Sequence, residues 1–225
     1  MKIENKKIMA IIGTHRKRGL VSSLAEKIFE GAKEKGYSTE LINLYDYNIN
    51  YCIGCWSCAK SGKCFQNDDF ELIFNKMKES DVIIIGSPVY WGNISGIMKN
   101  FFDRHTGYAM KIPPNMNECY KMSTWSKLKT GISALKNFGP KKEFENKEFI
   151  LIIAATIPFK HLMGDVPNTL KAMKTYVKKL NGKLVDTLIF NDTLFKFKKK
   201  KEVKMMNKAY KIGKSLKNNI YTQEG

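Results

Sequence analysis

Short, strongly apolar runs recur along this chain, each followed by a longer amphipathic stretch, and that alternation limits the folds open to it. Lys7 to Ile12, Asp81 to Gly86 and Phe149 to Ala154 are Ile-rich runs too short for a buried helix. A strand apolar at nearly every position has both faces covered, as in a parallel sheet flanked by helices. Tyr37 to Leu44 and Lys183 to Phe190 complete a set of five predicted strands. Between them, Leu24, Ile28 and Ala32 recur at helical spacing in Val21 to Lys35, which Gly36 ends. Further helices are expected over Asp68 to Lys78, through Met98 and Phe102, over Asn168 to Leu180, and over Glu202 to Leu216.

A length of 225 residues suits one domain, 1–225, and the 43% hydrophobic and 27% charged composition is that of an ordinary globular chain. No apolar run approaches the roughly 20 residues that cross a bilayer. The start runs straight into the first strand, so the expectation is a cytoplasmic protein with no targeting segment and no membrane partner. Lys and Arg number 39 against 21 Asp and Glu, a net charge of +18. The lysines are scattered, with one local cluster at Lys196, Lys198, Lys199, Lys200, Lys201 and Lys204 in a basic C-terminal stretch, 196–225. No zinc finger, ribonucleoprotein motif or arginine-rich arm accompanies them, so no specific nucleic-acid partner is expected. The favoured reading is a lysine-rich solvated surface, with attraction of acidic redox partners or phosphorylated cofactors as a further reading.

The interval 105–147 breaks the rhythm and is too long for a plain loop. It carries Tyr108, Met110, Met116, Tyr120, Met122 and Trp125, and a helical element is expected from Thr124 to Leu135. Two readings stand: an inserted helix packed on the core, or a lid or subunit interface beside a ligand.

Three constellations carry chemistry. Gly13-Thr14-His15-Arg16-Lys17-Arg18-Gly19 follows the first strand and opens the first helix, where free N–H groups and a partial positive charge meet a phosphate. It is neither Gly-x-Gly-x-x-Gly nor a Walker loop. Gly86-Ser87-Pro88-Val89-Tyr90-Trp91-Gly92-Asn93-Ile94-Ser95-Gly96 ends the third strand, and its paired aromatics could wall a planar ring. Cys52-x2-Cys55-x2-Cys58-x5-Cys64, in a loop over 50–66, sets four thiols within thirteen residues. That spacing suits an iron-sulfur centre, with zinc and unliganded reduced thiols as alternatives. Cys119 has no partner in sequence, and His15, His105 and His161 form no triad or metal spacing.

Gly-Thr-x-Arg-x-x-Gly, together with Ser-Pro-Val-Tyr-Trp-Gly-Asn-Ile-Ser-Gly-x-Met-Lys-Asn-Phe-x-Asp-Arg at 87–104, resembles the flavodoxin-like NADPH-dependent FMN reductase family. The cysteine pattern, with Asp68 and Asp69 behind it, is similar to that family's iron-sulfur flavoprotein branch. The resemblance implies a flavodoxin-like three-layer α/β sandwich with a five-stranded parallel sheet and a helical excursion before strand four. It implies FMN held at Thr14, Arg16, Gly19 and Ser22 through its phosphate, at Ser87, Pro88, Val89, Tyr90, Trp91, Gly92 and Asn93 through its ring, and at Thr156 as a third wall. It further implies a 4Fe-4S cluster on Cys52, Cys55, Cys58 and Cys64, no catalytic side chain because the flavin carries the chemistry, and a homodimer or homotetramer. The expected activity is an FMN-dependent oxidoreductase moving electrons from ferredoxin or NAD(P)H to an acceptor. A cluster-free NADPH-dependent FMN or quinone reductase, a non-enzymatic electron carrier, and a zinc or redox-switch protein that has lost FMN are the alternatives. The family's first loop reads Gly-Ser-Pro-Arg-x-x-Gly-Asn-Thr, and this chain has His15 at the Pro, Leu20 at the Asn and Val21 at the Thr.

Overall fold

The computed structural model describes residues 6–109, 123–126, 128–129, 142–156, 165–191, 193 and 198–217. The strands are β1 (Lys7–Ile12), β2 (Ser38–Asn43), β3 (Val82–Tyr90), β4 (Asn93–Ile94), β5 (Glu148–Ala155) and β6 (Lys183–Asn191). The helices that carry the argument are α1 (Leu20–Lys33), α2 (Ser57–Ser61), α3 (Phe70–Glu79), α4 (Gly96–Arg104), α5 (Thr106–Ala109), α6 (Asp165–Lys179) and α7 (Lys198–Ser215). Five strands pair in parallel in the order β2-β1-β3-β5-β6. This is the doubly wound order of flavodoxin-like folds, in which the chain turns outward to β2 and then crosses back past β1. The loops after β1 and β3 therefore diverge over a crevice.

The strands are apolar on both faces because two cores meet on them. Ile8, Ala10 and Ile12 of β1 pack with Val82 and Ile84 of β3 against α1 and α7, while Met9 and Ile11 pack with Ile83 and Ile85 against α3, α4 and α6. α1 and α7 cross closely at Gly31 and Gly213. A Cβ on either glycine would fall on the other helix's backbone, on the Tyr210 carbonyl or the Ile28 carbonyl.

Several boundaries differ from the sequence expectation. The third strand continues past Gly86 to Tyr90 and doubles back as β4, which makes the sheet six-stranded. The reversal turns on Trp91 and Gly92, with φ 49° and 69°. Two successive positive φ values make the tight hairpin that Asn-Gly normally signals, and Trp at its first position hides the signal. α6 begins at Asp165 rather than Asn168, and α7 at Lys198 rather than Glu202. The lysine run thus forms the first turn of α7, against the helix dipole but at no cost in intrinsic propensity. In the excursion, residues 124–126 and 128–129 are helical, with Trp125 and Leu128 exposed. The rest of the Thr124 to Leu135 expectation, like Cys119 and His161, lies outside the described residues.

Candidate functional site

The loop after β1 is tied down from three sides. Gly13 N donates to Gly86 O at 2.8 Å, Ser95 Oγ donates to Gly13 O at 2.7 Å, and Asn43 Nδ2 donates to Thr14 O at 3.0 Å. Gly13 is required here, since a Cβ would meet Ser95 Oγ at 2.8 Å and Met98 Cβ at 2.9 Å. The chain then enters α1 through Gly19, an N-cap with no side chain to bond the first turn. The N–H groups at that end are left for a ligand.

Above that helix end is a cavity of about 500 Å³, lined by Thr14, Arg16, Gly19, Pro88, Val89, Tyr90 and Thr156 among the sequence-predicted residues. Three strand ends thus supply one cavity, of a size that suits a small-molecule cofactor. Other predicted residues fall elsewhere. Ser22 is buried with its Oγ unpartnered and is absent from the wall, which Ser23 joins instead. Ser87 is buried beneath the loop, donating to Pro88 O at 2.8 Å and accepting from Ser95 N at 3.0 Å. Trp91, Gly92 and Asn93 line a separate groove of about 780 Å³ against α4 and α6. Trp91 stands fully exposed at the hairpin tip, in a left-handed conformation that costs a bulky residue free energy.

The cavity also contains residues outside the set assigned to FMN from the sequence. Arg18, Leu20 and Val21 complete the first-loop side, and Thr193 and Glu202 close it from the segment leading into α7 and from α7 itself. Leu20 and Val21, two of the three departures from the family loop, therefore face the cavity with hydrocarbon. Glu202 adds one carboxylate to a wall with two arginines. Glu202 reaches the wall from the second turn of α7.

All four cysteines of the 50–66 loop line one cavity of about 250 Å³, together with Trp56, Arg104 and Gly107. The loop is bent by left-handed residues at Gly54, Trp56 and Gly62, with φ 69°, 60° and 74°. A Cβ on Gly107 would overlap the Cys58 sulfur, so α5 approaches the loop as closely as it does only because that residue is glycine. Burial pushes the Cys58 thiol pKa up, and the charges of Cys64, Cys52 and Cys55 push it further. Among the described residues no three His, Cys, Asp or Glu side chains converge as one bound ion requires. The four cysteines share one cavity, a donor set that an iron-sulfur centre or zinc could use.

The base of this loop is closed by Asp68 and Asp69. Asn48 N donates to Asp69 Oδ2 at 2.7 Å, Asp69 N returns a bond to Asn48 O at 3.0 Å, and Asn50 N donates to Asp68 Oδ2 at 2.9 Å. Asp68 also forms a buried ion pair with Arg104. Burial alone would raise the Asp68 pKa, but bonds from Arg104 and from the Asn50 and Phe70 amides outweigh it and hold the carboxyl below its usual range. Removing either partner of such a pair leaves an uncompensated charge, at about 3–5 kcal/mol. Cys64 is anchored as well: its N–H donates to Glu71 Oε1 at 2.9 Å and to the Tyr108 hydroxyl.

His105 lines neither of these two cavities. It is buried among Phe70, Phe74, Phe101 and Tyr176, and its Nδ1 donates to Phe101 O at 2.7 Å. Burial pushes its pKa down to about 3, and the neighbouring Arg104 charge acts in the same direction. His15 lies edge-on to Tyr45 with ring centroids 5.4 Å apart. Among the described residues no helix is long and apolar enough to cross a membrane.

Residues 6–156 match the family described as NADPH-dependent FMN reductase. An iron-sulfur flavoprotein of Archaeoglobus fulgidus is 46% identical over 98 residues, 44% of this chain and 48% of that protein. An iron-sulfur flavoprotein of Methanocaldococcus jannaschii is 43% identical over 98 residues, 44% of this chain and 51% of that protein. The chain spans about half the length of the curated relatives it matches. Among solved structures, an NAD(P)H:quinone oxidoreductase from Methanothermobacter marburgensis superposes with a TM-score of 0.69 at 15% identity, over 95% of this chain and 100% of that one. An azoreductase from Bacillus anthracis superposes with a TM-score of 0.65 at 15% identity, over 93% of this chain and 99% of that one. At such identities these two establish the fold.

Proposed function

The chain belongs to the NADPH-dependent FMN reductase family, and from that premise we propose that it is an FMN-dependent oxidoreductase that also holds a 4Fe-4S cluster. Electrons come from NAD(P)H or a ferredoxin and leave to an acceptor. One observation carries the reading: the uncapped start of α1, Thr14, Arg16, Pro88 to Tyr90 and Thr156 enclose a single cavity at the carboxyl edge of the sheet.

In that cavity the α1 amides, Thr14 Oγ1, Arg16 and Ser23 bind the phosphate, with Arg18 adding long-range attraction. Pro88, Val89 and Tyr90 orient the ring, and Ala154 with Thr156 exclude water from its far side. Leu20 and Val21 contribute contact but no hydrogen bond. FMN supplies the hydride and single-electron chemistry when bound. Cys52, Cys55, Cys58 and Cys64 hold the cluster, whose chemistry is one-electron exchange. Exposed Trp91, Trp125 and Leu128 support a homodimeric or homotetrameric state, which light scattering tests.

Protein purified without oxygen should quench the fluorescence of titrated FMN and contain about four irons and four sulfides per chain. Replacing any one of Cys52, Cys55, Cys58 or Cys64 by Ala should remove iron while FMN still binds, and Cys119→Ala should affect neither. Failure to bind FMN overturns the reading outright. FMN without iron leaves a cluster-free NADPH-dependent FMN reductase, and zinc in place of iron overturns the cluster assignment.

A further inference from the structure

At the back of the thiol cavity one charged donor reaches a cysteine sulfur. Arg104 Nη2 lies 3.4 Å from Cys64 Sγ and 3.1 Å from Asp68 Oδ1, while Nη1 donates to Asn50 O at 2.9 Å and to Asp68 Oδ2. The Arg104 side chain is 1% exposed and that of Asp68 0%. The guanidinium also sits 4.7 Å from the centre of the Phe70 ring. A planar fork held on two edges and one face has no freedom to turn away, so its N–H stays aimed at the sulfur.

An N–H donated to a ligand sulfur, and a fixed positive charge beside it, both favour the state of an iron-sulfur centre that carries the extra electron. We propose that Arg104 is a positioning residue that raises the reduction potential of the cluster at Cys64, while Asp68 fixes its aim and tempers its charge. This rests on the reading that the four cysteines hold a cluster. The step concerned is the gain of one electron by the cluster from an external donor. No bond forms or breaks in it.

The test is a redox titration of the anaerobic full-length protein with dithionite, followed by electron paramagnetic resonance, with iron and sulfide measured in every sample. Wild type is compared with Arg104→Gln, Arg104→Lys and Asp68→Asn. Arg104→Gln should make reduction at least tenfold less favourable, a fall of about 59 mV for one electron. Arg104→Lys keeps the charge without the fork and should shift less in the same direction. Asp68→Asn removes the opposing charge and should shift the potential upward. A loop merely loosened would move all three variants the same way, and that result overturns the proposal. An unmoved potential in Arg104→Gln at normal iron content overturns it too. If Arg104→Gln does not hold iron, the opposite signs of Arg104→Lys and Asp68→Asn decide, and loss of iron from all three assigns the pair to loop construction and ends the proposal. Wild-type protein without iron fails the cluster reading itself, which separates the two failures.

Discussion

Ser95 Oγ donates to the Gly13 carbonyl at 2.7 Å across 82 positions of sequence, and its own N–H donates to Ser87 Oγ at 3.0 Å. One buried serine therefore joins the loop after β1 to the end of β3, the two sides of the proposed FMN cavity. Ser95→Ala leaves the Gly13 carbonyl unsatisfied, and stability should fall by about 1–3 kcal/mol. FMN affinity should fall with it, because the two halves of the cavity lose their common tie. Urea unfolding and FMN titration on the same variant check this. Unchanged values in both would show that the tie does not matter.

The charges around the cavity make opposite predictions for two neighbouring walls. Arg16→Ala removes a charge-assisted contact to phosphate and should weaken FMN by about 1.5 kcal/mol, roughly tenfold, the low end of the range because Arg16 is exposed before the ligand arrives. Glu202→Gln removes the carboxylate that faces the same anion and should tighten FMN by a few-fold, since like charges in a partly screened site repel by about 0.5–1 kcal/mol. Fluorescence titration at low salt reads both. A tightening in Arg16→Ala, or a weakening in Glu202→Gln, contradicts the phosphate placement.

How much of this was legible in the sequence depends on the kind of signal. β1 was predicted residue for residue, because an apolar run flanked by lysine and glycine has only one way to be buried. That Thr14, Arg16 and Tyr90 share one cavity was legible because strand ends in parallel sheets diverge over a crevice, a rule that needs only the strands. Ser22 and Ser23 could not be told apart, since which of two adjacent helical residues faces a cavity depends on a rotation of 100° that packing decides. The Trp91-Gly92 reversal was hidden because Trp is not a turn residue. Glu202 and Thr193 were invisible because they reach the cavity from the far end of the chain, and the Asp68–Arg104 pair because 36 residues separate its members.

His105 gives a pH signature of stability. Its pKa is about 3 in the folded chain against an ordinary 6.5, so between those values the unfolded chain binds the extra proton. Its contribution is therefore fully present above 6.5 and lost as pH falls toward 3. The slope should approach about 1.4 kcal/mol per pH unit. Urea melts at pH 7 and pH 5 should show a larger loss for wild type than for His105→Phe, in which the carboxylate contributions remain. Equal losses would place the proton elsewhere.

The net charge of +18 separates the two electron donors. A ferredoxin of acidic surface would be steered by the long-range field, and flavin reduction by it should slow at least roughly tenfold from 0.1 M to 1 M salt, as the Debye length falls from about 10 Å to about 3 Å. NADPH enters by local contacts and should respond less. Stopped-flow bleaching of the flavin with each donor measures this. A flat ferredoxin profile, or efficient NADPH turnover with no ferredoxin reaction, assigns the nicotinamide as the donor.

The reciprocal bonds between Asn48 and Asp69, with Asn50 and Asp68 beside them, bring the two ends of the cysteine segment together before any metal is considered. The segment therefore behaves as a cassette plugged between β2 and α3. The sheet does not run through it, and the flavin crevice draws no wall from it. On the proposed reading, a metal centre held there can be fitted, retuned or removed as a local replacement, leaving the proposed FMN cavity as a separate module.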